Sequence, residues 1–313
     1  MALKFTTFVP IKMDTQKLKW IYLFILSLIW GSSFILIKKG LVGLTDYQLG
    51  SLRIVLTSIV LFGIGFKSLR QIKRRHWVWL AVSGYVSSFF PPFLFAMAQN
   101  HIDSGVTSIL NSIVPLNTII VGALLFAIGV TRRQVWGVII GLIGTMMLIY
   151  AGFTFGTKSE MSSVADGNYW YSALIVIATI GYALNVNIIK KYLNDISALA
   201  VTTANFVFIF VPALVVLYMT GFFTDIFESE KMQIASGYIV LLALVGTALA
   251  KVLFNKLVQI ASPVFASSVT YTMPIVAVLW GVLDGEAFHI TQVVASLIIL
   301  FGVYLSNKRI KSQ

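Results

Sequence analysis

The chain has 313 residues, of which 58% are hydrophobic and 11% charged, with a mean hydropathy of +0.91. Soluble domains are about a quarter charged, so this composition excludes one and makes lipid the solvent. The absence of cysteine excludes disulfides, thiolate catalysis and cysteine-ligated metal, and the net charge of +12 sits in short segments between apolar runs, which argues against nucleic acid.

A membrane-spanning helix needs about 20 mostly apolar residues, because its amides meet no water in hydrocarbon. Ten stretches meet that need: 20–37, 47–66, 77–98, 105–128, 135–153, 169–189, 198–219, 236–255, 263–283 and 291–306. The predicted fold is an all-α polytopic membrane protein with ten transmembrane helices. Residues 1–19 form a polar, basic segment, and the apolar run after it is longer than a signal-peptide core, so it is expected to stay as an anchor. Span 1 carries Trp30 near its middle, with Ser33 one turn on. The other six tryptophans fall near span ends, where an interfacial belt accounts for them.

Arg53 lies about six residues inside the outer end of span 2, roughly 9 Å by helical rise. A central Arg costs about 2.5–3.5 kcal/mol on insertion scales, so it should find carbonyls, water or an anion. Residues 67–76 hold five basic residues before His76 and read as a loop beside anionic lipid. Pro91-Pro92 in span 3 and Pro212 in span 7 should bend their helices. In span 4, Asn111, Pro115 and Thr118 share one helical face. The polar residues 154–168 read as an outer linker, followed by span 6 with Tyr182 and Asn185 on one face. Lys251 sits about four residues from the inner end of span 8, close enough to snorkel. Span 9 carries the stripe Ser267, Thr270, Tyr271 and Pro274, and the tail 307–313 is basic.

The segments 1–19, 67–76, 129–134, 190–197, 256–262 and 307–313 together hold 17 of the 23 Lys and Arg residues. That positive-inside bias places both termini in the cytoplasm.

The chain also resembles itself. Ile37-Lys-Lys-x-Leu41 recurs as Ile189-Lys-Lys-x-Leu193 at an offset of 152, which pairs Trp30 with Tyr182 and Ser33 with Asn185. Further on the offset is 159, pairing Asn111 with Thr270 and Pro115 with Pro274, and then 158, pairing Gly144 with Gly302. Five spans per copy is odd, so the halves 20–153 and 169–306 should insert as inverted repeats, with a binding site between them near the midplane. Pro115 and Pro274 each leave the carbonyl four residues earlier, of Asn111 and Thr270, without its helical donor. The candidate substrate-binding residues are Trp30, Ser33, Arg53, Asn111, Tyr182, Asn185, Lys251, Thr270 and Tyr271, with helix breaks at Pro115 and Pro274. Interhelical hydrogen bonding and plain packing are the structural alternatives for each. If Arg53 or Lys251 faces the cavity, an anionic group such as a carboxylate on the solute is favoured.

Several short sequences, in this order, resemble the EamA-type members of the drug/metabolite transporter superfamily over about residues 20–306. They are Trp30-Gly-Ser-Ser-Phe, Arg53, Ile113-Val-Pro-Leu, Thr247-Ala-Leu-Ala, Met273-Pro-Ile-Val and Gly285-Glu-Ala-Phe-His-Ile-Thr-Gln292. The chain departs from the family at Ile128, which stands where the first half usually carries the glutamate kept here as Glu286, and at Lys251, in a stretch that is normally apolar. The resemblance implies transport of a small metabolite, commonly efflux of amino acids or related compounds.

No Asp or Glu lies deep in a span, and His76, His101 and His289 sit in loops or at span ends. A buried carboxylate or histidine proton relay is therefore not expected. The expected function is a secondary transporter exporting or exchanging small metabolites, in the bacterial inner membrane, with lipid and a small-molecule substrate as partners. No cofactor, metal or nucleic acid is expected, and oligomeric state is not legible. The alternatives are an integral-membrane enzyme, which would need acid, base, nucleophile or metal groups clustered at one depth, and a non-transporting membrane subunit.

Overall fold

A computed structural model describes residues 14–102, 104–155, 169–283 and 290–307. Asp103, Asp284, Glu286, His289, most of the 154–168 linker and both chain ends lie outside the described residues.

Helix α1 (Thr15–Gly40) starts where the Asp14 carboxylate accepts from the Gln16 amide, and α2 (Asp46–Gly65) starts with a reciprocal Thr45–Gln48 capping box. Two 3-10 turns follow, Phe66–Gln71 and Arg74–His76. Then α3 (Trp77–Gly84), a π-helical segment (Tyr85–Phe89) and α4 (Phe90–Gln99) run on as one rod. Helices α5 (Ser104–Asn111) and α6 (Val114–Phe126) are separated by a turn, and α7 (Arg132–Phe155) ends the first half. The second half has α8 (Tyr169–Tyr192), α9 (Ala198–Met219), the short α10 (Phe222–Asp225) and α11 (Glu230–Leu241). A second π segment (Leu242–Leu249) joins α11 to α12 (Ala250–Ile260). Helices α13 (Pro263–Ser267), α14 (Val269–Leu283) and α15 (Ile290–Asn307) complete the chain. No strand occurs among the described residues.

Among the described residues, six helical runs are long and apolar enough to cross a membrane, and the protein is an all-helical, polytopic membrane protein. Predicted spans 105–128 and 263–283 are each divided by a turn, so neither is one uninterrupted helix. Large apolar side chains on the outside, such as Leu124 at 77% exposure and Phe24 at 63%, need lipid around them rather than water.

The prolines shape the rods as backbone chemistry dictates. Pro91 and Pro92 follow directly on the first π segment, whose wider turn accommodates rings that clash with the preceding carbonyls. Pro115 sits at the start of α6, just after the turn, whereas Pro212 and Pro274 lie inside α9 and α14. The released carbonyls find side-chain donors. Tyr85 Oη donates to the Phe208 carbonyl at 3.4 Å, and Ser112 Oγ, which donates to the Ser108 carbonyl at 2.9 Å, also lies 3.3 Å from the Thr270 carbonyl. The Thr270 carbonyl thus has a shared hydroxyl beside it.

Helices α7 and α15 pack antiparallel along a seam of small residues. A β-carbon on Gly302 would lie 2.6 Å from the Gly141 amide nitrogen, and one on Gly144 would lie 2.9 Å from the Ile299 nitrogen. Helices α2 and α9 are also antiparallel: Gln48 Nε2 donates to the Thr220 carbonyl at 3.1 Å, while the Ser197 amide donates to Gln71 at the other end. The basic segments 67–76, 190–197 and 256–262 gather at one end of the bundle. There Arg75 and His76 pair with Asp195, and Gln259 Nε2 donates to the Ile196 carbonyl at 2.8 Å.

The seam generates a stability prediction. Gly302→Val forces a side chain into backbone and should cost about 1–3 kcal/mol, whereas Gly63→Ala, with nothing within 4 Å of its β-carbon, should cost nothing. Thermal unfolding of the detergent-solubilised variants reads this directly. Equal midpoints for the two would remove the seam as a constraint.

Candidate functional site

A cavity of about 790 Å³, its open mouth included, lies between helices of both halves. Eight of the nine candidate residues line it: Trp30, Ser33, Arg53, Asn111, Tyr182, Asn185, Lys251 and Thr270. Tyr271 does not. Its ring is fully buried against Gly141 and its hydroxyl donates to the Val138 carbonyl at 2.9 Å, so it packs α14 onto α7. Thr118 is also outside the lining, and its hydroxyl donates to the Val114 carbonyl at 2.8 Å.

The two π segments build one wall. An extra residue per turn leaves carbonyls off the regular helical ladder, where side chains can reach them. The Trp30 indole N–H donates to the Gly246 carbonyl in the second π segment at 2.9 Å, and its ring packs 5.1 Å from that of Phe254. Arg53 Nε donates to Thr247 Oγ1 in the same segment at 2.7 Å. Lys251 Nζ donates to the Ser87 carbonyl in the first π segment at 2.7 Å and lies 5.7 Å over the Tyr182 ring. Pro91 releases that carbonyl, since it stands four residues after Ser87 and has no amide hydrogen. Lys251 thus points inward and does not snorkel, and Pro91 acts on the cavity wall rather than as a remote bend.

The opposite wall comes from α5, α8 and α14. Ser83 bridges Asn185 at 2.6 Å and Asn205 at 2.9 Å, fixing Asn185 against α3. Asn111 is 4% exposed, and its only side-chain contact is a long one, 3.6 Å from Nδ2 to Met273 Sδ; its Oδ1 has no hydrogen-bond partner among the described residues. Neither Arg53 nor Lys251 meets a carboxylate among the described residues. Phe34, Phe95 and Phe254 supply apolar lining. Sequence reasoning missed these three, because a phenylalanine in a membrane helix carries no mark of whether it faces lipid, protein or cavity.

The end bearing the basic segments is closed by specific contacts. Lys190 Nζ donates to the carbonyls of Gln259 at 3.1 Å and Ala261 at 2.8 Å, at the end of α12. Lys191 Nζ donates to the Phe126 carbonyl at 2.7 Å, at the end of α6. Beside them Trp79 stacks on Tyr192 with ring centroids 3.8 Å apart. The repeat mates Lys38 and Lys39 are exposed, and their side chains make no hydrogen bond among the described residues.

Comparison with known proteins agrees with this architecture. The inner membrane transporter YedA of Escherichia coli (strain K12), itself uncharacterized, is 28% identical over 292 residues, 90% of this chain and 88% of that one. An uncharacterized transporter of Archaeoglobus fulgidus is 24% identical over 296 residues, 92% of this chain and 98% of that one. A solved crystal structure superposes with a TM-score of 0.67 over 92% of this chain and 96% of its own, at 15% identity, which establishes likeness of fold. The EamA-like transporter family matches the chain twice, over residues 18–150 and 169–308. The protein belongs to the EamA-like transporter family.

Proposed function

We propose that the protein is a secondary transporter that exports or exchanges small metabolites, amino acids or related carboxylates among them, by alternating access. Its frame is read as two inverted five-helix repeats, 20–153 and 169–306, in the inner membrane with both termini cytoplasmic. The family match falls on the two halves separately, and helices at equivalent positions of the halves pack antiparallel, α2 on α9 and α7 on α15. Both π segments also occupy equivalent rods, between α3 and α4 and between α11 and α12. The single observation that carries the reading is a cavity lined by repeat mates from both halves, Trp30 with Tyr182 and Ser33 with Asn185.

Alternating access requires two states in which equivalent contacts exchange. The unequal surroundings of Lys190 and Lys191 on one side, and of Lys38 and Lys39 on the other, are what one such state looks like. In this reading the Lys190 and Lys191 contacts form the closed gate and break when the cavity turns to the other face.

Two measurements check it. In proteoliposomes offered a panel of amino acids and other carboxylates, the wild type should show counterflow of at least one solute. Trp30→Ala and Asn111→Ala should lower that flux roughly tenfold, since each removes a cavity contact worth about 1–1.5 kcal/mol, with membrane abundance near normal. Wild-type flux in both variants would take these residues out of the solute path. The chain has no cysteine, so the paired substitutions Lys190→Cys and Gln259→Cys provide a clean cross-link across the closed gate. Oxidation should arrest flux and reduction restore it; full cross-linking with unchanged flux would end the alternating-access reading.

A further inference from the structure

The charge of the cavity is one-sided, and the symmetry of the frame does not require it to be. At the offset of 152, the N-caps Thr45 and Ser197 correspond, and so do Arg53 and Asn205. The mate of this cation is a neutral amide. Lys251 likewise has no cationic counterpart in the α3–α4 rod, where the described residues between the two 3-10 turns and Asn100 include no Lys or Arg. Neither positive group has a charged repeat mate, and both line the same cavity.

Each is only partly satisfied. A guanidinium has five N–H donors, and Arg53 spends one of them, on Thr247. Lys251 has the Ser87 carbonyl and hydroxyl and the face of Tyr182, which are neutral partners. Both line the same cavity. Positive groups that meet no carboxylate in a low-dielectric site are costly to desolvate, and an anion entering beside them would offset that cost. Around them the lining is largely aromatic and apolar, with Phe34, Phe95 and Phe254 among its residues. Asn111 adds a buried amide oxygen without a partner, which suits one hydrogen-bond donor on the solute.

We infer that this cavity selects amphipathic organic acids, an aryl or branched-alkyl body with one carboxylate and a neutral donor such as a hydroxyl, and rejects the corresponding amino acids and amines. The inference rests on the transporter reading and narrows it. An α-ammonium would bring a third positive charge into a site that has no carboxylate among the described residues. A hydroxyl at the same carbon would reach Asn111 without that repulsion.

The test varies charge on one skeleton. 3-Phenyllactate, phenylalanine and phenylalaninamide carry the same ring and a donor at the same carbon, with net charges of −1, 0 and +1. Binding of each to the purified full-length protein is measured by microscale thermophoresis, and counterflow by each in proteoliposomes. Phenyllactate should bind at least tenfold tighter than phenylalanine, with phenylalaninamide weakest. Arg53→Gln and Lys251→Gln should each reduce that preference at least threefold. Arg53→Lys keeps the charge and should retain most of the preference, which separates charge from fold. Equal or tighter binding of phenylalanine, no binding of any of the three, or an unchanged preference in both Gln variants overturns the inference. Phenyllactate binding without counterflow by any solute in the panel would refute transport while leaving the charge selectivity standing. Counterflow of phenylalanine without anion preference would do the reverse.

Discussion

A carbonyl group in hydrocarbon has no water to turn to, so every one that leaves the helical ladder must meet a donor from elsewhere in the chain. This requirement organises the site. Pro91 releases the Ser87 carbonyl and Lys251 takes it; Pro212 releases that of Phe208 and Tyr85 takes it; Pro274 releases that of Thr270, beside which the shared Ser112 hydroxyl lies. In the second π segment the Gly246 carbonyl receives the Trp30 indole. Each of these donors comes from a different rod, so breaks that would weaken isolated helices instead tie the rods together around the cavity. The same contacts aim a tryptophan and a lysine into the cavity.

Much of this was legible before any coordinates. Apolar length and sparse charge give the membrane rods, and the repeated Ile-Lys-Lys-x-Leu gives the pairing that brings Trp30 near Tyr182. Depth within the span singled out Arg53, because an arginine there demands an explanation on energetic grounds alone. Lys251 was ambiguous, since its distance from the span end allowed it to reach the headgroups, and only the neighbouring rod reveals a nearer acceptor at Ser87. Tyr271 was misread because helical spacing defines a stripe about 100° wide. Thr270 and Tyr271 are consecutive, and the stripe edge falls between them. The π segments left no trace in the sequence, because Tyr85–Phe89 and Leu242–Leu249 have compositions any apolar helix could share. Pro91 and Pro92 beside the first of them are visible, but the partner of a freed carbonyl depends on which rod lies alongside.

Frame and chemistry obey different rules here. Small residues, prolines and π turns recur in both halves, while the cavity cations do not, since Arg53 corresponds to Asn205 at the repeat offset. A duplicated frame provides the two equivalent arrangements that opening to either face requires. In the reading proposed above, the positions where the copies differ are the ones that select the solute.

The seam between α7 and α15 is reciprocal at the repeat offset. At the offset of 158, Gly141 corresponds to Ile299 and Gly302 to Gly144. The close approach of Gly141 to Gly302 therefore has a twin, that of Ile299 to Gly144, and both are present. Reciprocal contacts of this kind are the signature of an isologous interface in a C2 homodimer. Gly144 and Gly302 are thus equivalent points of one contact, and each lets the other helix approach to backbone distance.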